Sequence, residues 1–289
     1  MRISYYPDIT QHRTPEEVRT AVVTFAEALA RQMTQLRGSD VAIDVLPVVS
    51  VAEQTAMIAE GRCEIALIKP SSYVLAHRRN ARVLPAAVAL RVIDGTPGDR
   101  YFAQLYCHVD SGFRSLDDVA ARCRLPEPKD RPSIGFGDPF STANFLVPAA
   151  HLADKGLFPF TRFRRSEYFG GHDGVVRAVY ARSVDIGAGH DGVIVDLARQ
   201  PGFADAAEKL IRLDRVFIHS DPVAVLVDDA TRAQLTESMV TIAARPEIKH
   251  ALDVFWGAVV GLAPTTHENY ASVEHAITRL GIPENDLLV

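Results

Sequence analysis

Four consecutive residues, Ser141, Thr142, Ala143 and Asn144, follow Asp138-Pro139-Phe140 at the point where an apolar run gives way to a helical pattern. Ser133-Ile134-Gly135-Phe136-Gly137 reads as a short buried strand, and Asp138-Pro139 turns the chain. Ser141 is a good N-cap for a helix expected to reach about Lys155, with Gly156 just beyond it. The first N–H groups of a helix have no intrahelical partner and sit at the positive end of its dipole. Thr142, Ala143 and Asn144 are therefore expected to offer backbone donors, joined by the Ser141 and Thr142 hydroxyls. Such a set suits a phosphate-like oxyanion and needs no lysine. A serine here also serves as an ordinary cap, so a ligand site requires further groups to converge on it.

Several residues could supply that convergence. His172-Asp173-Gly174 and His190-Asp191-Gly192 repeat one tripeptide, each just past an expected strand. A His/Asp divalent-metal site is conceivable, but no third cluster completes a ligand shell, and no metal is assigned. His172 is better used as a hydrogen-bond donor to an anion at the Ser141 helix. Lys69 stands at a strand end beside Pro70-Ser71-Ser72-Tyr73, a second possible helix start. Other chemistries lack their motifs. Gly135-Phe136-Gly137 opens like a dinucleotide fingerprint, yet Phe140 occupies the place of the third glycine. There is no GxxxxGK[ST] loop and no GxSxG elbow. No nucleophile is arranged beside a base, which favours binding over catalysis, and no cofactor is called for.

The elements that must hold these residues follow an α/β grammar. Arg2 to Tyr6 alternates as a strand, and Thr14-Pro15-Glu16-Glu17 has capping-box spacing before a long amphipathic helix ended by Gly38. Strands over Val41–Val49 and Glu64–Ile68 flank a helix capped by Ser50, an order that predicts a parallel sheet with helices on both faces. A second unit of the same grammar begins near Arg131. Tyr101–Val109 reads as an extended crossover, and Val223–Val227 after Asp221-Pro222 reads as a return, placing Tyr101 and Asp221 at a hinged cleft. The expected organisation is one lobe from 1–104 and 219–289 and a second from 105–218.

Composition agrees with a globular chain. With 289 residues, 47% hydrophobic and 23% charged, it can bury two cores, and its net charge of −5 argues against a nucleic-acid partner. The short basic runs His77-Arg78-Arg79 and Arg162 to Arg165 read as solvated faces. No apolar run approaches the about 20 residues that a membrane span needs, so no membrane insertion is expected. MRISYYPDIT lacks the regions of a signal peptide, so the expectation is a periplasmic chain whose export signal was removed, or a cytoplasmic one. Cys63, Cys107 and Cys123 have neither CxxC nor metal spacing.

Taken together, Asp138-Pro139-Phe140-Ser141-Thr142, Gly170-Gly171-His172-Asp173, Val184-Asp185-Ile186-Gly187-Ala188 and Ser220-Asp221-Pro222 resemble, in order and spacing, the phosphate/phosphonate-binding family of ABC-transporter solute-binding proteins. The resemblance implies a two-lobed type II periplasmic-binding-protein fold with two crossover strands, a small phosphorus oxyanion as ligand and an ABC permease as possible partner. It places the ligand against Ser141, Thr142, Ala143, Tyr101, His172 and Asp221. Ala143 departs from the family in lacking a third hydroxyl, and Gly192 falls where aminophosphonate binders place a carboxylate, which counts against 2-aminoethylphosphonate. Lys69, where glycine is common, adds charge for an anion of different shape. The alternative is a cytoplasmic enzyme or sensor on the same fold.

Overall fold

The computed structural model describes residues 1–7, 13–93, 96–139 and 141–282. Phe140 and residues 283–289, which figured in the motif and lobe boundaries above, lie outside them. The chain divides into two compact α/β units, the first built from Met1–Arg100 and His219–Ala271, the second from Tyr101–Ile218 and residues 272–282.

The first unit starts with β1 (Arg2–Ser4) and α1 (Pro15–Arg37). The capping box is formed: Thr14 Oγ1 accepts the Glu17 N–H at 3.2 Å while Glu17 accepts the Thr14 N–H at 2.7 Å. Gly38 closes the helix in the left-handed conformation at φ 67°, which glycine adopts without steric cost. Then come β2 (Asp44–Val45), α2 (Val51–Ala59), β3 (Ile65–Leu67), α3 (Pro70–Arg79), β4 (Leu84–Ile93) and β5 (Thr96–Gly98).

The second unit opens on β6 (Arg100–His108), followed by α4 (Leu116–Cys123), β7 (Ser133–Phe136), α5 (Val147–Asp154), β8 (Arg165–Tyr168) and α6 (His172–Tyr180). It continues through β9 (Ile186–His190), α7 (Val193–Ala198), α8 (Ala206–Lys209) and β10 (Leu210–His219). The return contributes β11 (Pro222–Val225), α9 (Asp229–Ala243), α10 (Pro246–Trp256) and β12 (Val259–Ala263) to the first unit, and α11 (Ala271–Leu280) follows.

The first unit's sheet has the order β12-β4-β11-β3-β1-β2, with β5 paired to β4. β1, β2 and β3 run parallel, as a β-α-β-α-β order requires. The sheet is nevertheless mixed, because β11, β4 and β12 add antiparallel pairs. One core fills this unit, with Phe25, Leu29 and Met33 of α1 against Leu235, Met239, Ile248 and Leu252 of α9 and α10.

The second sheet has the order β10-β6-β9-β7-β8, with β7 parallel to both neighbours and β6 antiparallel to β9. Val175, Val176 and Val179 of α6 pack over it against Tyr106 and Val184. Two expectations need correction. Val223–Val225 lies in β11, buried inside the first sheet, and the return crossing is made by β10, which the sequence reading missed. Arg212, Asp214 and Arg215 interrupt the apolar residues of β10, so it lacks the continuous apolar run of a core strand. Residues 272–282 group with the second unit, where the sequence reading set them with the first. There Arg279 pairs with Asp154 at 2.8 Å and His275 Nε2 lies 3.1 Å from the same carboxylate, while Val273, Ala276, Ile277 and Leu280 are buried.

Candidate anion-binding site

In the second unit the chain leaves β7 through Gly137, Asp138 and Pro139 and re-enters helix at Thr142. The entry is a wide π-turn over Thr142–Leu146, and only from Val147 does the helix become α. Ser141 carbonyl accepts from Phe145 N–H at 3.2 Å and from Leu146 N–H at 2.9 Å, the five-residue step that defines the wider coil. Pro148 supplies the cause. It has no N–H to return to the Asn144 carbonyl four residues earlier, and that carbonyl instead accepts the Gly137 N–H at 3.3 Å. The helix start is thereby tied to the end of β7.

Ser141 caps the helix, and its Oγ accepts the Asn144 N–H at 3.1 Å. Asn144 is thus not the free backbone donor the sequence suggested, because the cap uses that donor. Its side chain is 1% exposed, and neither amide atom has a hydrogen-bond partner. The amide lies flat on Gly137: a Cβ there would meet Asn144 Cγ and Nδ2 at 2.5 Å. No side chain fits at position 137 while Asn144 keeps this rotamer. Thr142 and Ala143 are buried and Ser141 is partly open. Among the described residues no protein acceptor takes the Ala143 N–H.

His172 is the first residue of α6. Gly170 reaches φ 78°, and Gly174 sits so close to the Phe169 carbonyl that a Cβ would fall 2.2 Å from it. These glycines set the turn that presents His172. The two repeated tripeptides meet in space, with His172 and His190 rings 4.6 Å apart, edge to face. His172 Nδ1 accepts the His190 N–H at 3.4 Å, and His190 Nδ1 accepts the Gly192 N–H at 3.1 Å. With Nδ1 accepting in each ring, the neutral form of either histidine carries its proton on Nε2. β9, which ends in His190, packs against the Thr142–Leu146 segment. Sequence reasoning missed the pairing of the two histidines, although the repeat was its signal. Among the described residues no three His, Cys, Asp or Glu side chains converge on a metal position. Tyr101 begins the second unit, half-buried on β6.

The other two expected residues belong to the first unit. Lys69 precedes α3, is 9% exposed, and places its ammonium 5.5 Å from the centre of the Tyr6 ring. Asp221 joins β10 to β11 and pairs with Arg91 at 2.9 Å, with both side chains mostly buried. Arg91 also donates to Ser220 Oγ at 3.0 Å, to the Trp256 carbonyl at 3.1 Å and to the Gly257 carbonyl. Burial pushes the nearby Tyr270 phenol well above its usual range, and the Asp221 charge adds to the effect. Arg91 had no sequence signal, since its partner lies 130 residues away.

Two compact α/β units built from a chain that passes from one to the other and back, and a helix start at a strand's C-terminal end, define the type II periplasmic-binding-protein fold. Solved structures share it. The chloride-bound protein XAC2383 from Xanthomonas citri matches with a TM-score of 0.73 at 14% identity, covering 97% of each chain. PhnD1 from Prochlorococcus marinus, in complex with methylphosphonate, matches with a TM-score of 0.68 at 15% identity over 97% of this chain and 98% of that one. The family is shown by sequence: residues 9–270 match the family described as ABC transporter, phosphonate, periplasmic substrate-binding protein, and the chain belongs to it. The phosphonates-binding periplasmic protein of Escherichia coli is 28% identical over 182 residues, 61% of this chain and 49% of that protein. The chain thus spans about half the length of that curated relative. Among the described residues no helix is long and apolar enough to cross a membrane.

Proposed function

We propose that this chain is the substrate-binding component of an ABC transporter, capturing a phosphonate, phosphite or phosphate in the periplasm and passing it to a permease without chemical change. The observation that carries the reading is the helix start at the end of β7, opened by the π-turn and neighboured by β9 with its histidine pair. The Ser141 and Thr142 hydroxyls, the Ala143 N–H and His172 Nε2–H form a donor set suited to a tetrahedral anion. Hydrogen bonds to a charged ligand are roughly twice as strong as neutral ones, so a few suffice for specific capture.

Tyr101, Lys69 and Asp221 complete the proposed set. Lys69 supplies positive charge, and Tyr101 a phenolic donor. Asp221, paired with Arg91, acts as an acceptor for a hydrogen bond from the P–OH of a singly ionised ligand, which sulfate cannot offer. Asn144 contributes through its place under the helix start rather than through its backbone donor.

The test is a thermal-shift and calorimetric comparison of phosphate, phosphite and methylphosphonate, with sulfate and divalent cations as controls. Stabilisation by at least one phosphorus oxyanion and by neither control is expected. Equal response to sulfate, or none to all three phosphorus compounds, overturns the reading.

A further inference from the structure

We propose that the second unit carries another anion site, for a molecule bearing two or more linked phosphates, in a groove whose lining residues are distinct from those proposed at Ser141 and fall on either side of it in the chain. The groove is an open surface depression with about 520 Å³ of space, lined by Cys123, Arg124, Arg131, Pro159, Thr161 and Arg162. That is the size of space that takes a ligand larger than one oxyanion.

Three of the six lining residues are arginines, and none is neutralised. Among the described residues Arg124 and Arg162 have no side-chain hydrogen bond or ion pair, although the neighbouring Arg164 and Arg165 pair with Asp185 and Glu167. Arg131 is held in place by neutral acceptors only, the Leu125 carbonyl at 2.8 Å and the Pro126 carbonyl at 3.0 Å. Two of its five N–H groups are committed, so the guanidinium is oriented without losing its charge. Glu127 and Asp130 stand on the same short turn but line no part of the groove.

The wall adds no opposing charge. Burial raises the Cys123 thiol to about 11, against the pull of Arg131 and Arg162. The thiol stays neutral at physiological pH, and both cations are near enough to act on it. Three unpaired guanidiniums around one space, in a chain of net charge −5, form a local excess of positive charge that a single phosphate cannot span. Guanidinium forks match phosphate oxygens in pairs, so linked phosphates satisfy more than one arginine at once.

The experiment titrates inorganic pyrophosphate by calorimetry, at low salt, into the wild-type protein, Ser141→Ala and the double variant Arg124→Gln/Arg162→Gln, with circular dichroism confirming fold. Wild type and Ser141→Ala are expected to bind pyrophosphate alike, orthophosphate at this site at least about tenfold more weakly, and the double variant about tenfold or more weakly, with affinity falling as salt rises. Failure of wild type to bind pyrophosphate, unchanged binding in the double variant, or loss in Ser141→Ala overturns the proposal. Tighter binding of an acidic peptide than of pyrophosphate, lost in the double variant, makes the groove a protein contact and also overturns it. Because the groove variants leave the Ser141 site intact, these outcomes are separable from failure of the transport reading.

Discussion

Ser141 has a capping duty in the fold and a ligand-binding duty proposed for it, and substitution can separate the two. Its Oγ accepts the Asn144 N–H at 3.1 Å, and the same hydroxyl is proposed to donate to the ligand. Ser141→Ala removes both. Loss of a cap costs about 1 kcal/mol, a melting shift of roughly 2–4 °C for a domain of this size. Loss of a hydrogen bond to a charged ligand costs about 1.5–3 kcal/mol, a factor of roughly 10 to 150 in affinity. Ser141→Asp separates them. Aspartate caps as well as serine and suits the positive helix end, so stability is expected to stay within about 0.5 kcal/mol of wild type. Its charge, however, opposes the ligand at close range, where two like charges about 4 Å apart near a surface repel by about 4 kcal/mol. Affinity for phosphate or methylphosphonate is expected to fall more than about 100-fold. The assays are thermal unfolding and isothermal calorimetry on the three proteins. The reasoning fails if Ser141→Ala binds as tightly as wild type, or if Ser141→Asp keeps its affinity.

Other outcomes follow from the same geometry. Gly137→Ala drives a Cβ into the Asn144 amide and is expected to cost about 1–3 kcal/mol in urea unfolding, most of it recovered in Gly137→Ala/Asn144→Ala; a double variant no better than the single would show the clash lies elsewhere. Arg91→Ala strands the mostly buried Asp221 carboxylate and is expected to destabilise by about 2–3 kcal/mol, with Asp221→Asn restoring part of it; additive effects in the cycle would refute the coupling. Glu64 is held below its usual range, first by the Arg2 side-chain hydrogen bond, so its contribution is present above pH 4.5 and lost as pH falls through its lower folded value. Glu64→Gln should therefore unfold at lower urea than wild type at pH 6, with the gap narrowing as pH falls below 4.5; a gap independent of pH would contradict this.

Much of the local structure was legible in the residues. The Thr14 capping box, the Ser50 and Ser141 caps and the turn at Gly38 each rest on groups within a few positions of one another, and each formed. The helix start at Ser141 was read correctly as a cap and wrongly as three free amides, because a cap consumes the donor it satisfies. The π-turn was also unread, although its cause, Pro148, lies in plain view; whether the Asn144 carbonyl finds another donor depends on where Gly137 lies. The Val223–Val225 segment was taken for a crossover because an apolar run has no direction in sequence; only the pairing with β3 and β4 makes it a core strand.

The sequence by itself determined the α/β grammar, the caps and the motifs that place the chain in its family, since these depend on residue type and on contacts within a turn or two. Tertiary structure decided the mixed sheet, the edge-to-face His172 and His190, the Arg91 grip on Asp221 and the burial of the Asn144 amide. The physical reason is range. Hydrogen-bond caps are satisfied by near neighbours, whereas strand order, ion pairs and burial are set by residues that meet only when the whole chain has packed.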